Sequence, residues 1–190
     1  MRVTCSPRRF PLQSTERDFL VRYLQDNERR ILALTDHLTP RQQTFRPSPD
    51  EWSIADIFEH LAVVEARSLP RLEERLQQPP DTEKKSRVDL DAVILNVVSA
   101  RTRRGKASEA SRPASRWPTF GETVDEFRKA RAGLVHLAQT TKADLRAYLL
   151  PNSALGELDI YQSLLFLGSH AERHRKQAQE IKEDRAFPRR

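Results

Sequence analysis

Four stretches of this 190-residue chain repeat apolar side chains at helical spacing, and each opens on a residue able to cap a helix. The first runs from about Thr15 to Leu38, with Leu20, Leu24, Ile31, Leu34 and Leu38 on one face; Thr15 and Asp18 are spaced as a capping box. The second begins near Ser53 and carries Ile54, Ile57, Phe58, Leu61, Val64 and Leu69 before the Pro79-Pro80 pair. The third starts at Thr119, boxed by Glu122, and holds Val124, Phe127, Leu134 and Leu137 as far as about Gln139. The fourth starts near Asp159, boxed by Gln162, and runs through Leu164, Leu167, His170, His174, Ala178 and Ile181. Each stripe must be buried against another, so the pattern predicts an all-α fold, a four-helix bundle. Only five glycines are present, too few for a turn-rich all-β chain.

The length is about that of one domain. Residues 1–14 read as a flexible N-terminal tail, 15–184 as the bundle and 185–190 as a C-terminal tail. Between the second and third long helices lies a long, partly irregular connection, a basic loop over 79–118. Within it, Leu90 to Val98 is ambiguous: β-branching favours a strand, while the spacing of Leu90, Val93, Ile94 and Val97 favours a helix. A short helix over 89–99 is expected, because no other segment supplies a sheet for a strand to join. From Lys84 to Arg116, nine Lys or Arg stand against three acids, a difference equal to the whole net charge of +6. A basic patch can attract nucleic acid. This one is rich in Ser, Ala and Pro, with Trp117 at its edge and no DNA-reading motif nearby. A solvated loop is the preferred reading, and nucleic acid is not an expected partner.

Apolar residues make up 37% of the chain and charged residues 32%, and no run approaches the ~18 apolar residues of a membrane span. No membrane partner is expected. Cys5 stands alone, which excludes an internal disulfide and fits a reducing compartment. The first residues lack the apolar core of a secretory signal, so a cytoplasmic location is expected.

His170 and His174 form an i,i+4 pair inside an apolar stripe, close enough on one helix face to grip one ion. His60 lies in the second helix, also among apolar residues. Burying imidazoles is costly unless their ring nitrogens find partners. A single buried histidine is most simply a hydrogen-bonded core residue. Three on two helices favour a metal site, since bundles build such sites from facing helices. The pair is not a zincin motif: Ala171 follows the first histidine, and Glu172 lies about 200° around the helix from it. Asp56 and Gln177 are candidate supports of the ligands. Trp52 and Trp117 are candidates for the border of a pocket opening between the second and fourth helices. His37, before a helix terminus, and His136, off the stripe, look ordinary. No nucleophilic triad and no phosphate-cradling glycine loop is visible. What remains is chemistry run by a metal-bound water or thiolate.

Trp52-Ser-Ile-Ala-Asp-Ile-Phe-Glu-His60-Leu resembles the W-S-x-x-x-x-x-x-H-L start of the second helix in the DinB/YfiT-like superfamily. Leu155-Gly-Glu-Leu-Asp-Ile-Tyr-Gln, with His170-Ala-Glu-Arg-His174-Arg-Lys-Gln177, is similar to that family's last helix and its H-x-x-x-H-x-x-Q ending. The match runs roughly from Thr15 to Ile181, with the middle loop unmatched. The resemblance implies a four-helix bundle with a divalent ion, zinc or nickel, on His60, His170 and His174, and frequent homodimers. It implies metal-dependent chemistry on small molecules: thiol transferases, thiol-dependent isomerases or hydrolases that use low-molecular-weight thiols. The expected function is therefore a metal-dependent transferase of the thiol type or a hydrolase. A non-enzymatic, metal-stabilised helical binding or stress protein is the alternative.

Overall fold

Side-chain caps set where the long helices begin. The computed structural model describes residues 11–81, 89–100 and 107–189. In chain order the helices are α1 (Ser14–Leu32), α2 (Pro40–Thr44), α3 (Ile54–Leu76), α4 (Asp89–Val93), α5 (Phe120–Thr140) and α6 (Ile160–Glu183). Ser53, Thr119 and Asp159 each accept the N–H of the third helical residue, and the side chain at that position answers the cap's own N–H. These are the starts the sequence predicts for the second, third and fourth long helices.

The first helix departs from expectation at both ends. Its start is Ser14, where the Glu16 carboxylate accepts the Gln13 N–H at 2.8 Å, so Thr15 and Asp18 do not form the box. It stops at Leu32, not Leu38. The Thr35 hydroxyl donates to the Leu32 carbonyl at 2.7 Å, and His37 takes a left-handed conformation at φ 57°. Thr39 then caps α2, with Pro40 at its first position. Leu34 and Leu38 still pack against the core from this turn, which explains why the apolar spacing runs on past the helix.

The long connection carries little regular structure among the described residues. Asp89–Val93 is one turn of α-helix, continued by a π-turn over Ile94–Val98 that packs on α6 through buried Leu90 and Ile94. Lys84, Lys85, Arg87, Arg101, Arg103, Arg104 and Lys106, most of the basic loop, lie outside the described residues, as does 1–10 of the N-terminal tail. Between α5 and α6 the all-α plan has one small addition. Strands β1 (Leu149–Asn152) and β2 (Gly156–Asp159) pair antiparallel, Leu150 opposite Leu158. The Asn152 side chain accepts the N–H groups of Ala154 and Leu155, and Gly156 supplies the φ of +83° that the turn needs. At the chain's end, expected as a tail, Phe187 meets Phe45 edge-on at 5.5 Å and Pro188 accepts from Gln42.

In the bundle α1 packs on α5 and α6, and α3 packs on α5 and α6. Two apolar clusters fill it. One is built on Leu20, Leu24, Leu134, Leu164 and Leu165; the other on Ile31, Ile54, Phe58, Phe127 and Ala178. The long helices also bury polar residues, among them Asn27, Glu65, Arg131 and Ser169. Arg131 donates to the Glu65 carboxylate and to the Leu24 carbonyl, tying three helices at mid-height. Among the described residues no helix is long and apolar enough to cross a membrane.

Candidate metal centre

Next to this polar layer, α3 and α6 bring His60, His170 and His174 together. The Nε2 atoms of His60 and His174 lie 3.3 and 3.2 Å from the Nε2 of His170, and the three candidate ligand atoms all fall within 4.8 Å of one another. Two metal–nitrogen bonds of ~2.05 Å at a tetrahedral angle would set their nitrogens about 3.3 Å apart. The spacing therefore fits one ion.

Proton placement fits it too. His60 Nδ1 faces the Ser111 carbonyl at 2.7 Å, and His174 Nδ1 faces Gln177 Oε1 at 3.0 Å. Both partners are acceptors, so both Nδ1 atoms carry the proton and both Nε2 atoms present lone pairs. Two lone pairs then converge on His170, which has one proton to offer them. His170 Nδ1 is itself buried without a hydrogen-bond partner. A cation at the meeting point of the three Nε2 atoms would answer all of these lone pairs at once.

Burial keeps the rings neutral. It pushes His170 down to about 3, helped by the charges of His60, Arg173 and Arg131. It holds His174 well below the ordinary histidine value, with His170 and His60 adding to the effect. His60 is lowered by burial against the opposing pull of the Ser111 carbonyl. Neutral imidazole is the form that ligates a metal.

The surroundings orient the rings. Trp52 lies 4.9 Å from the His60 ring and stacks at 5.9 Å on His174, closing one side with an apolar wall. Gln177 touches the site directly, as described. Asp56 does not: one oxygen closes the cap of α3 with Ser53 and the other meets Arg46. Trp117 packs in the apolar cluster around Phe58, and no ring contact joins it to a histidine among the described residues. Glu172 is committed to Arg175 and Arg30, and Arg173 donates to the Ala100 carbonyl. His37 and His136 are exposed, far from any cluster of ligands.

Two residues that matter here were not singled out from the sequence, Glu59 and Ser111. The Glu59 carboxylate accepts the N–H groups of Ala114, Ser115 and Arg116 and the Arg116 guanidinium at 2.6 Å. Burial would raise its pKa, but these donors together bring it below the usual range. Glu59 thus straps the 107–117 loop across α3, which delivers the Ser111 carbonyl to the neighbouring His60. No local motif announces such a contact; the only sequence hint is an acid placed beside a candidate ligand.

His170 is the partly exposed member of the three, and Phe166 stacks over it at 6.1 Å. On that side a cleft of about 340 Å³ opens between α3, α6, the hairpin and the loop, lined by Val64, Arg67, Arg71, Ser111, Phe166 and Leu167 among others. The cleft abuts the cluster through Ser111 and Phe166.

The sequence profile of the DinB superfamily matches residues 23–178. YuaE from Bacillus subtilis strain 168, an uncharacterised protein, is 28% identical over 138 residues, spanning 73% of this chain and 82% of YuaE. Among solved structures the chain resembles YfiT from Bacillus subtilis, a probable metal-dependent hydrolase with an unusual four-helix bundle topology. The TM-score is 0.62 at 11% identity, covering 93% of this chain and 91% of YfiT. At that identity the likeness is one of fold.

Proposed function

The chain belongs to the DinB superfamily, and from that footing we propose that it holds a divalent ion, zinc or nickel, on His60, His170 and His174 and uses it on a small molecule, as a thiol-type transferase or a hydrolase. The observation that carries this reading is the convergence of three neutral Nε2 atoms, two with their protons fixed on the far nitrogen. YfiT, the neighbour in fold, is a probable metal-dependent hydrolase and adds support.

Three histidines leave an ion's remaining position to a non-protein ligand. An ion so held supplies Lewis acidity, drawing the pKa of a thiol or a water toward neutrality. The chain's own residues do the rest. The Ser111 carbonyl and Gln177 keep the protons of His60 and His174 on Nδ1, aiming the lone pairs inward. Trp52 and Phe166 exclude water from two sides. Among the described residues no carboxylate hydrogen-bonds any of the three rings, so no protein base stands ready beside them.

Metal analysis of protein purified without a histidine tag tests the reading. About one equivalent of ion per chain is expected, lost in His170→Ala. A content near zero in the parent, unchanged by the substitution, overturns it. Turnover of an activated ester alone marks a hydrolase; turnover of an electrophile only when a low-molecular-weight thiol is added marks a transferase. A second reading, a metal-stabilised binding protein, is favoured by one observation: the histidines are not among the residues lining the cleft. It predicts that the ion raises the melting temperature while neither substrate class turns over.

A further inference from the structure

Arg67 and Arg71 face the cleft from one stripe of α3. His60, Val64, Arg67 and Arg71 follow one another at helical spacing, and Ser163, Phe166, Leu167, His170 and His174 do the same on α6. At a rise of about 1.5 Å per residue, the two arginines stand roughly 10 and 16 Å along the helix from His60. Both are exposed, and neither meets a carboxylate among the described residues. Among the described residues Arg67 makes one hydrogen bond, to the Ala110 carbonyl at 3.1 Å, and Arg71 makes none. Two like charges one turn apart repel unless something negative lies between them. The hairpin and α6 supply apolar lining, Leu150, Phe166 and Leu167, beside the polar side chains of Asn152, Ser153 and Ser163.

We infer that the cleft binds an amphipathic anion, its carboxylate or phosphate on Arg67 and Arg71 and its apolar body along Phe166 and Leu167 toward the histidines. The inference rests on the metal-centre reading for which end of the ligand reacts, though not for the binding itself. Guanidinium groups suit the anion because their planar forks match a carboxylate or phosphate with paired donors. Specificity would then come from length: the distance from the charged group to the reacting atom must match the distance from the arginines to His170.

Calorimetric titration of the full chain with hexanoate, hexyl phosphate and the neutral hexanamide tests this. At least one of the anions is expected to bind about tenfold tighter than hexanamide, with a preference that weakens as salt is added. Whether hexanoate or hexyl phosphate is preferred identifies the headgroup. Arg71→Gln removes no internal bond and is expected to erase most of the preference, as is Arg67→Gln. Equal affinity for the three compounds, or a preference that survives the double substitution, overturns the inference. The same titration on chelator-stripped protein separates it from the metal reading. An anion preference there, in a parent protein that never carried metal, leaves the cleft standing and the metal centre refuted. A metal-loaded parent with no anion preference refutes the cleft alone.

Discussion

Among the described residues Arg131 is the largest side chain with no exposure, and its charge is answered by the Glu65 carboxylate and one main-chain carbonyl. A buried pair contributes little over an apolar pair of the same volume, but removing one partner strands the other charge in the core. Glu65→Ala is therefore expected to cost about 3–5 kcal/mol in urea unfolding, whereas Glu65→Met combined with Arg131→Met costs far less. A double substitution as damaging as the single one would show that the pair itself, not the stranded charge, matters. Glu59 works by a different route. Its carboxylate holds the loop that brings Ser111 to His60, so Glu59→Ala is expected to weaken metal retention by roughly 10- to 100-fold, the usual range for loss of a ligand's support. Chelator competition reads this, and unchanged retention would separate Glu59 from the site. The histidines were legible in the sequence because each stands in an apolar stripe, where a polar ring needs a reason. Glu65 and Arg131 occupy the same register, four residues after Leu61 and Phe127, and that signal was there to be read. Glu59 and Ser111 were not legible, because 52 residues separate them in sequence and only the folded loop joins them.

At the scale of the helices, α6 carries two of the three histidines and also approaches α1 closely at Gly168. A Cβ built on Gly168 would sit 2.6 and 2.9 Å from the ring carbons of Tyr23 on α1. The Tyr23 hydroxyl pairs with Ser169 at 2.9 Å, so the ring cannot swing aside without breaking that bond. Gly168→Ala must push α1 from α6 two residues before His170, at an expected cost of about 1–3 kcal/mol. Gly121→Ala, in the first turn of α5 with only the Thr119 hydroxyl near at 3.8 Å, is the control: helix propensity predicts a gain of up to ~1 kcal/mol. Thermal melts of the two variants check the contrast, and a neutral Gly168→Ala would mean that the helices do not pack this closely. The elements themselves were largely readable. Short capping side chains at Ser53, Thr119 and Asp159 fix three helix starts by hydrogen bonds local in sequence. The end of α1 was hidden because Leu34 and Leu38 serve the core from a turn as well as they would from a helix. The hairpin was hidden because its strands are four residues each and one contains Pro151; only Asn152 and Gly156 mark the turn.

For the molecule as a whole, three neutral histidines, two of them buried and His170 partly so, make stability depend on acid. The unfolded chain takes up protons at its histidines as the pH falls through about 6.5. At the clustered histidines the folded, metal-free protein resists this, since His170 is pushed down to about 3, His174 is held well below its ordinary value and His60 is lowered. Below pH 6.5 the unfolded state thus binds more protons, and stability falls as pH falls, by up to ~1.4 kcal/mol per pH unit for each such histidine. Above 6.5 these groups contribute no slope. The rings are in mutual contact, so their protons are taken up by the cluster and not one ring at a time. Between pH 6.5 and 5, before most carboxylates titrate, the unfolding free energy of chelator-stripped protein is expected to decline steeply. With His60, His170 and His174 all replaced by Gln the decline should flatten over the same window. An equal slope in the two proteins would mean that the histidines are not held neutral by the fold. Zinc adds a distinct signature: an ion that binds only the folded, deprotonated cluster stabilises it at pH 7 and loses that effect on acidification, as protons are driven onto the ligands. A zinc-dependent rise in melting temperature that vanishes in the triple variant, and shrinks toward pH 5 in the parent, would tie the acid response and the metal to the same three nitrogens.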